Sequence, residues 1–538
     1  MATSIPDESS TSEDNESNQM IDHIDESSVE DNDSPPRKRK KLEEIKWKRQ
    51  KFNSIDLPES HLNPILYFAN PSRKTPRIIF DYFVDGTLIK KITSESNKYK
   101  HQKAFQVSDV SEIDIRKFIA ALIYMSVIRL PRHRMYWSKP TNQALVSSVL
   151  TRHRFDEILS ILHFNNNEEE PTKANNNYDK LFKIRPLINH FNRKFQSAAI
   201  PEEICSVDEQ IIPHKGFSSL KRYNSSKPHK WGYKIYARAG KSSYLYQFEI
   251  EGDNQLIVID SNIGSVGNVV IRLTQNLPPN SFTAYDNYFA TIGLIKFLNT
   301  KQYHVVSAIR SNRLNSSLLK SDKQLKQEGR GSFDSLTTDN GHIVVTKWFD
   351  TKAVYILSNC FGPTPVGESK RFDRKSNTHI TISRPYSING YNQCMGGVDS
   401  FDMLMSLYRI QLKGNKWYRK FFYNFLDSSI INSWLIYRQI TSSEIDLLNF
   451  KLSLAQELVI SLVDIRLQSF ATTDISRYDR IGHFPGWKDL NGTRRNFKSK
   501  RCQFSGCRRK TSTYCKKCKV WLCYAETNRF ELYHQFHN

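Results

Sequence analysis

Near residue 200 the hydrophobic repeat changes from that of a helix to that of a strand, and this switch constrains the fold more than any other feature. Upstream, Ser111-Glu-Ile-Asp114 reads as a helix start, followed by Ile115, Phe118, Ile119 and Leu122 at helical spacing. Phe155, Ile158, Leu159 and Leu162 repeat that stripe. Downstream, Ile204–Asp208 is a short apolar run. Trp231, Tyr233, Ile235 and Ala237 then alternate with other residues, as do Tyr244, Tyr246, Phe248 and Ile250. These predict three strands, the last two joined by a turn containing Gly240. A helix over Asn268–Leu277, a strand over Ser281–Tyr285, a helix near Thr291–Leu298 and a strand over Tyr303–Ile309 follow. Strands in a meander that then alternate with helices predict an α/β fold with a mixed sheet.

The rest of the chain divides around this core. Residues 1–54 are rich in Ser, Asp, Glu and Asn and are expected to form a disordered acidic tail. Residues 55–199 are helical, and 200–309 hold the first part of the sheet. Residues 310–390 carry short β-like runs among Gly, Ser and Asn and read as an insertion. Residues 391–475 return to helix, 476–497 read as a basic linker, and 498–538 form a Cys/His-rich module.

Charge narrows the partners. Lys and Arg exceed Asp and Glu by 78 to 55, a net +23. Residues 1–34 hold eleven acids and no Lys or Arg, which leaves +34 on the remaining chain. That excess points to a polyanion. No stretch of about 18 apolar residues offers a membrane span; the best candidate, Phe118–Leu130, is interrupted by Arg129. The first residues have neither a basic nor an apolar leader region, so an intracellular, reducing setting is expected and the eight cysteines are not read as disulfides. Behind Pro35-Pro36, the run Arg37-Lys38-Arg39-Lys40-Lys41 suits a nuclear localisation signal or a phosphate-gripping arm.

Four aspartates stand at positions that a sheet can bring together. Asp208 is expected to end the first strand and Asp286 a later one. Asp399 and Asp402, after Gly396-Gly397, lie three apart on one helix face. Carboxylates at strand ends of an open sheet converge on one edge, and a helix beside it adds a third. Such a cluster makes sense around divalent cations, with all-oxygen ligands favouring Mg²⁺ (or Mn²⁺) and phosphoryl transfer. Each aspartate alone also fits a turn, an N-cap or a salt bridge.

Six segments in order, Ser206-Val-Asp208-Glu-Gln, Lys215-Gly, Lys227-Pro-His-Lys-Trp-Gly-Tyr-Lys234, Tyr285-Asp-Asn-Tyr-Phe289, Ala308-Ile-Arg-Ser-Asn-Arg313 and Gly396-Gly-Val-Asp-Ser-Phe-Asp402, resemble the piggyBac transposase family, domesticated relatives included. The resemblance covers roughly residues 60–538. It implies a ribonuclease H-like core with a DDE/D site for cut-and-paste transposition at TTAA, helical DNA-binding and dimerisation regions split around that core, and an insertion between the second and third acids. Asp208, Asp286 and Asp399 match the catalytic, metal-binding acids, and Asp402 the additional one. The implied partners are double-stranded transposon ends and a second copy of the chain, in the nucleus. The alternative is a domesticated DNA-binding or chromatin protein without transposition.

Basic and aromatic residues flank these motifs. Arg310 and Arg313 suit phosphate or base edges, or a solvated turn. Lys230 beside Trp231, and Lys416 beside Trp417, suit a DNA strand, with Trp417 either stacking on a displaced base or packing a helix. At the other end, five of the eight cysteines fall in the last 37 residues: Cys502, Cys507, Cys515, Cys518 and Cys523, with His534 and His537 after them. Cys515-x2-Cys518 is a zinc-knuckle spacing, so Zn²⁺ is expected. A cross-braced pairing would put Cys502, Cys507 and Cys523 in one site and Cys515, Cys518, His534 and His537 in the other. The family's module implies eight ligands and these are seven, leaving the first site one short. Eleven Lys or Arg and no acid between 494 and 519 add a DNA-binding character.

Overall fold

The computed structural model describes residues 45–538 except 71–73, 226–228, 315–317, 375, 415, 468–482, 488–498, 505, 517, 519, 525–527 and 535–538. The acidic segment 1–34 and the basic run Arg37–Lys41 lie outside the described residues. The chain divides into two compact units, Met1–Val459 and Ile460–Asn538.

The first unit begins with two short strands, β1 (Trp47–Lys48) and β2 (Asn63–Pro64). Helices follow: α1 (Pro76–Phe83), α2 (Gly86–Gln102), α3 (Glu112–Val127), α4 (Ala144–Ser147), α5 (Arg152–Ile161) and α6 (Arg185–Ala198). Thr75, Asp85, Ser111 and Thr151 start four of these by accepting from the backbone N–H three residues on. Ser111 and Asp114 complete a capping box, and the Ile115, Phe118, Ile119 and Leu122 stripe is buried.

The sheet is built from β3 (Ala199–Ile200, paired only with β2), β4 (Ile204–Pro213), β5 (Arg222–Tyr223), β6 (Trp231–Gly240) and β7 (Leu245–Ile250), then α7 (Ser265–Thr274), β8 (Phe282–Tyr285), α8 (Ile292–Thr300) and β9 (His304–Ala308). β4, β6 and β7 pair antiparallel in succession; β8 lies parallel on the other side of β4, and β9 parallel to β8. Helical crossovers α7 and α8 make the parallel pairs possible. The resulting order β7-β6-β4-β8-β9 is ribonuclease H-like. Val270, Leu294 and Ile295 from the two helices pack on Val207, Tyr285 and Val305 from the strands.

The expected insertion is only partly separate. After α9 (Asp322–Glu328), the strands β10 (Phe333–Thr338), β11 (Val344–Phe349) and β12 (Ala353–Ser358) extend the same sheet, with Ile356 of β12 opposite Ala308 of β9. The open edge of β9 offers unpaired backbone groups, and these apolar runs satisfy them. Only the hairpin β13 (Gly367–Asp373) and β14 (Thr378–Arg384) forms its own sheet there. Ordered chain also begins before residue 55. Trp47 sits opposite Thr338 on β10, Trp47 and Phe52 are buried, and Arg49 pairs with Asp334 at 2.5 Å. Two isolated aromatics in a polar stretch have no periodicity, which is why the sequence pattern places them in the tail.

Helices α10 (Tyr386–Cys394), α11 (Gly397–Leu407), α12 (Trp417–Thr441) and α13 (Leu447–Leu467) follow. The second unit holds β15 (Pro485–Trp487), β16 (Lys500–Arg501), β17 (Lys510–Thr511), β18 (Thr513–Cys515) and α14 (Arg529–His534). β15 pairs with β18, so part of the expected basic linker belongs to the Cys/His module. Among the described residues no helix is long and apolar enough to cross a membrane.

Candidate active site and metal centre

The parallel pairing of β4 and β8 places the first two acids side by side. Val207 lies opposite Tyr285, so Asp208 and Asp286 each stand one residue beyond the last paired position. Adjacent strands are about 4.8 Å apart. Asp208 does not end its strand as expected: β4 runs on to Pro213, because β6 supplies pairing partners from Ala237 opposite Asp208 to Gly232 opposite Pro213. Asp208 is buried, Asp286 half-buried and Asp399 exposed. Glu209, on the other side of the strand, is bound by Lys234 Nζ at 2.5 Å and Asn224 Nδ2 at 2.8 Å.

Two glycines bring the third acid. Gly396 takes φ +107°, a left-handed conformation that other residues rarely adopt. At Gly397 a Cβ would meet the Gly240 carbonyl oxygen at 2.4 Å and Ser206 Oγ at 3.0 Å. The backbone can therefore press against β4 and β6, where the Val398 N–H donates to Ser206 Oγ at 3.3 Å. Ser206 lies two residues before Asp208, so the start of α11, with Asp399 in its first turn, is fixed beside the other two acids. Tyr391 on α10 reports their convergence. Its hydroxyl is pushed well above the usual tyrosine value by burial first, then by Asp286, Asp208 and Asp399 together. One phenol thus feels all three carboxylates. Asp402, one turn on, pairs with Arg409 at 3.3 Å.

The chain on either side is tied down. Arg313 donates from Nη1 to the carbonyl oxygens of Asn287, Tyr288 and Ala290 at 2.8–3.1 Å, and Arg310 Nε donates to Asn287 Oδ1 at 3.3 Å. Arg313 therefore holds the loop that follows Asp286. After α11, the buried pair Asp427–Lys451 (3.0 Å) grips the chain: Asp427 accepts from the Ile410 N–H and Lys451 donates to the Tyr408 carbonyl. Burial pushes the Asp427 carboxyl up and the Lys451 ammonium down, so each depends on the other to stay charged.

The remaining expected contacts are spread out. Lys230 is exposed next to Trp231, whose half-exposed ring has Lys221 Nζ 4.8 Å and Tyr223 4.9 Å from its centre. Trp417 is half-buried against Phe421, Tyr418 and Tyr233, as a helix-packing residue would be. Lys416 Nζ donates to the Ser160 carbonyl at 2.8 Å.

In the second unit the structure gathers Cys502, Cys507 and Cys523 in one group and His483, Cys515, Cys518 and His534 in another, with the ligand atoms of each group within 4.8 Å of one another. The sequence reading took His537 for the second group; the structure puts His483 there, and His537 lies outside the described residues. His483 just precedes β15, whose pairing with β18 sets it beside Cys515. A count of histidines upstream of Cys502 would have found this eighth candidate.

A tetrahedral zinc, with bonds of about 2.3 Å to sulfur and about 2.0 Å to nitrogen, needs S···N separations of about 3.5 Å and S···S of about 3.8 Å. His483 Nδ1 lies 3.5 and 3.3 Å from the Cys515 and Cys518 sulfurs, Cys518 Sγ lies 3.6 Å from His534 Nε2, and the Cys507 and Cys523 sulfurs are 4.0 Å apart. The donor set fits zinc. His534 Nδ1 is 2.6 Å from the Phe530 carbonyl, which keeps its proton there and leaves Nε2 for a metal.

The comparisons agree with this picture. The family model described as Transposase IS4 matches residues 75–434, well over half of the chain. PiggyBac transposable element-derived protein 2 of Homo sapiens is 29% identical over 446 residues, covering 81% of this chain and 74% of the relative. PiggyBac transposable element-derived protein 3 of Homo sapiens is 28% identical over 426 residues, covering 78% and 70%. A cryo-EM structure of the piggyBac transposase synaptic complex with hairpin DNA superposes with a TM-score of 0.64 at 22% identity, over 87% of this chain and 98% of that one. By the family model that matches two thirds of its length and by these relatives, the chain belongs to the piggyBac transposase family.

Proposed function

We propose that the chain is a metal-dependent DNA transposase that cuts at its element's ends and joins them to TTAA targets. The observation that carries this reading is geometric: the β4–β8 register sets Asp208 beside Asp286, and the contact of Gly397 and Val398 with Gly240 and Ser206 brings the first turn of α11, with Asp399, to the same strand. Bound at these carboxylates, Mg²⁺ or Mn²⁺ would stabilise charge on the attacking and leaving oxygens of a phosphodiester. Asp208 and Asp286 present their carboxylates from neighbouring strands, the glycine-anchored α11 adds Asp399, and Arg313 keeps the loop after Asp286 from moving. In the first step water attacks a phosphodiester at the element's end and frees a 3′-hydroxyl. That hydroxyl next attacks the opposite strand, closing a hairpin and releasing the flanking DNA. Hairpin opening and joining to target reuse the same acids with new nucleophiles. Zinc held by His483, Cys515, Cys518 and His534 would fold the basic C-terminal unit as a DNA-binding module. Asp402, three residues along α11 and paired with Arg409, is the additional acid beside the three that would hold the metal. Action as a homodimer on two DNA ends, in the nucleus under the address Arg37–Lys41, completes the proposal.

The names of the human relatives, transposable element-derived proteins, support a second reading: a DNA-binding protein that keeps the fold without transposing. Labelled duplexes carrying the element's own end and TTAA distinguish the two. The transposase reading expects nicked and hairpin products with Mg²⁺ from wild type and none from Asp286→Asn. Tight binding with no product from either protein would replace it with the second.

A further inference from the structure

The two strand acids stand just past the backbone bonds that set the spacing of their strands. β4 and β8 pair as far as Val207 and Tyr285, and Asp208 and Asp286 are the next residues on each. β6 holds Asp208 from one side, through Ala237, while the β4–β8 ladder has ended. We infer that Lys234 supplies the tie beyond that point: it is a positioning residue that joins the Asp208 strand to the Asp286 loop across the reverse face of the sheet, and so governs how tightly the acids take a divalent cation. This role presupposes the metal-site reading above and deepens it.

The contacts follow from strand alternation. Successive side chains point to opposite faces, so Glu209 turns away from the face that carries Asp208. Lys234, opposite Ile211 in the β4–β6 register, shares the Glu209 face. Its Nζ lies 2.5 Å from Glu209 Oε2, and Asn224 Nδ2 donates to Glu209 Oε1 at 2.8 Å. Both oxygens of the carboxylate next to Asp208 are therefore held. The same ammonium lies 4.1 Å from the centre of the Tyr288 ring, two residues after Asp286. Tyr288 is gripped at its backbone too, since its carbonyl accepts from Arg313 Nη1 at 3.1 Å.

One cation thus binds a neighbour of the first acid and a near neighbour of the second. The Lys234 side chain is 12% exposed and that of Glu209 16%, so salt and water screen the link little. Burial works against the charge on Lys234, but Glu209, then Tyr288, outweigh it and hold the ammonium above the ordinary lysine value. The Tyr236 ring, within 17° of parallel to that of Tyr288, backs the contact, with Lys234 Nζ 5.3 Å from its centre. Contacts that orient metal ligands in this way are typically worth about 10–100-fold in metal affinity.

A lysine near carboxylates could also act through its charge alone, and the two roles have opposite signs. A bare positive charge opposes an incoming cation, so its removal would tighten metal binding. Removal of a strut weakens it.

The test is Mn²⁺ binding to the full zinc-loaded chain, read by electron paramagnetic resonance, in wild type, Lys234→Met, Lys234→Arg, Tyr288→Leu and Tyr288→Phe. Lys234→Met should weaken binding about tenfold and Tyr288→Leu about threefold. Lys234→Arg keeps a cation for both Glu209 and the ring, and Tyr288→Phe keeps the ring, so each should stay within about twofold of wild type. Lys234→Met combined with Tyr288→Leu should bind about as Lys234→Met does, because both break one link. Wild-type or tighter binding by Lys234→Met would overturn the inference. If that variant fails to fold, Tyr288→Leu at the half-buried ring decides, and wild-type binding there overturns it. Asp286→Asn separates this result from the underlying reading: wild-type affinity in Asp286→Asn removes the metal site itself, whereas weak binding there beside wild-type affinity in Lys234→Met removes the strut alone.

Discussion

The acid edge and the Cys/His module collect residues able to ligate metal by opposite means. At the acid edge, backbone pairing does the positioning. Asp208 and Asp286 are set by the register of two parallel strands, and Asp399 by a glycine pair that lets a helix touch them. Among its described residues the module has four short strands, one short helix and a core made largely of the cysteines themselves. There the ligands are the fold. The first region should keep its shape without metal, and the second should not.

That difference can be broken most strongly by chelation. Removing zinc should expose residues 460–538 to protease while the segment 75–459 stays protected, since structural zinc contributes on the order of 10 kcal/mol to such a module. Next in size is Lys451→Met, which strands the Asp427 carboxylate in the core of the first unit. Denaturant unfolding should show a loss of about 3–5 kcal/mol, partly restored by adding Asp427→Asn. Gly397→Ala drives a Cβ into the Gly240 carbonyl, so it should cost about 1–3 kcal/mol of stability and displace Asp399, with DNA cleavage falling about 100-fold. The smallest effect concerns pH. His163 has a folded pKa near 4, below the ordinary 6.5, so between these values the unfolded chain binds more protons than the folded one. Stability should therefore be lost as pH falls from about 6.5 to about 4, by on the order of 2 kcal/mol, and Tyr or Phe at position 163 should flatten that slope.

The core was legible because its signals are local. The alternation in Trp231–Ala237 and Tyr244–Ile250, and the strand–helix rhythm after residue 260, correspond to strands and crossover helices within a few residues of the observed limits. Misreadings came where a residue's role is set by a distant partner. β4 outlasts its apolar run because β6 pairs with it, and β10–β12 join the main sheet because β9 has an open edge. The arginine pair after β9 reads as DNA contacts or as a solvated turn, and neither reading announces that Arg313 holds three carbonyls of the Asp286 loop. His483 sits nineteen residues before the first cysteine of the module, and only the β15–β18 pairing brings it to Cys515. The convergence on Tyr391 likewise depends on three separate elements meeting.

The most direct test of the account is Mn²⁺ binding to the full chain in complex with a DNA end, followed by electron paramagnetic resonance. The account predicts that Asp208→Asn, Asp286→Asn and Asp399→Asn each weaken binding by about tenfold or more, while Asp402→Asn changes it by less than about threefold. Wild-type affinity in Asp286→Asn would contradict it, because the three acids would then not form one metal site.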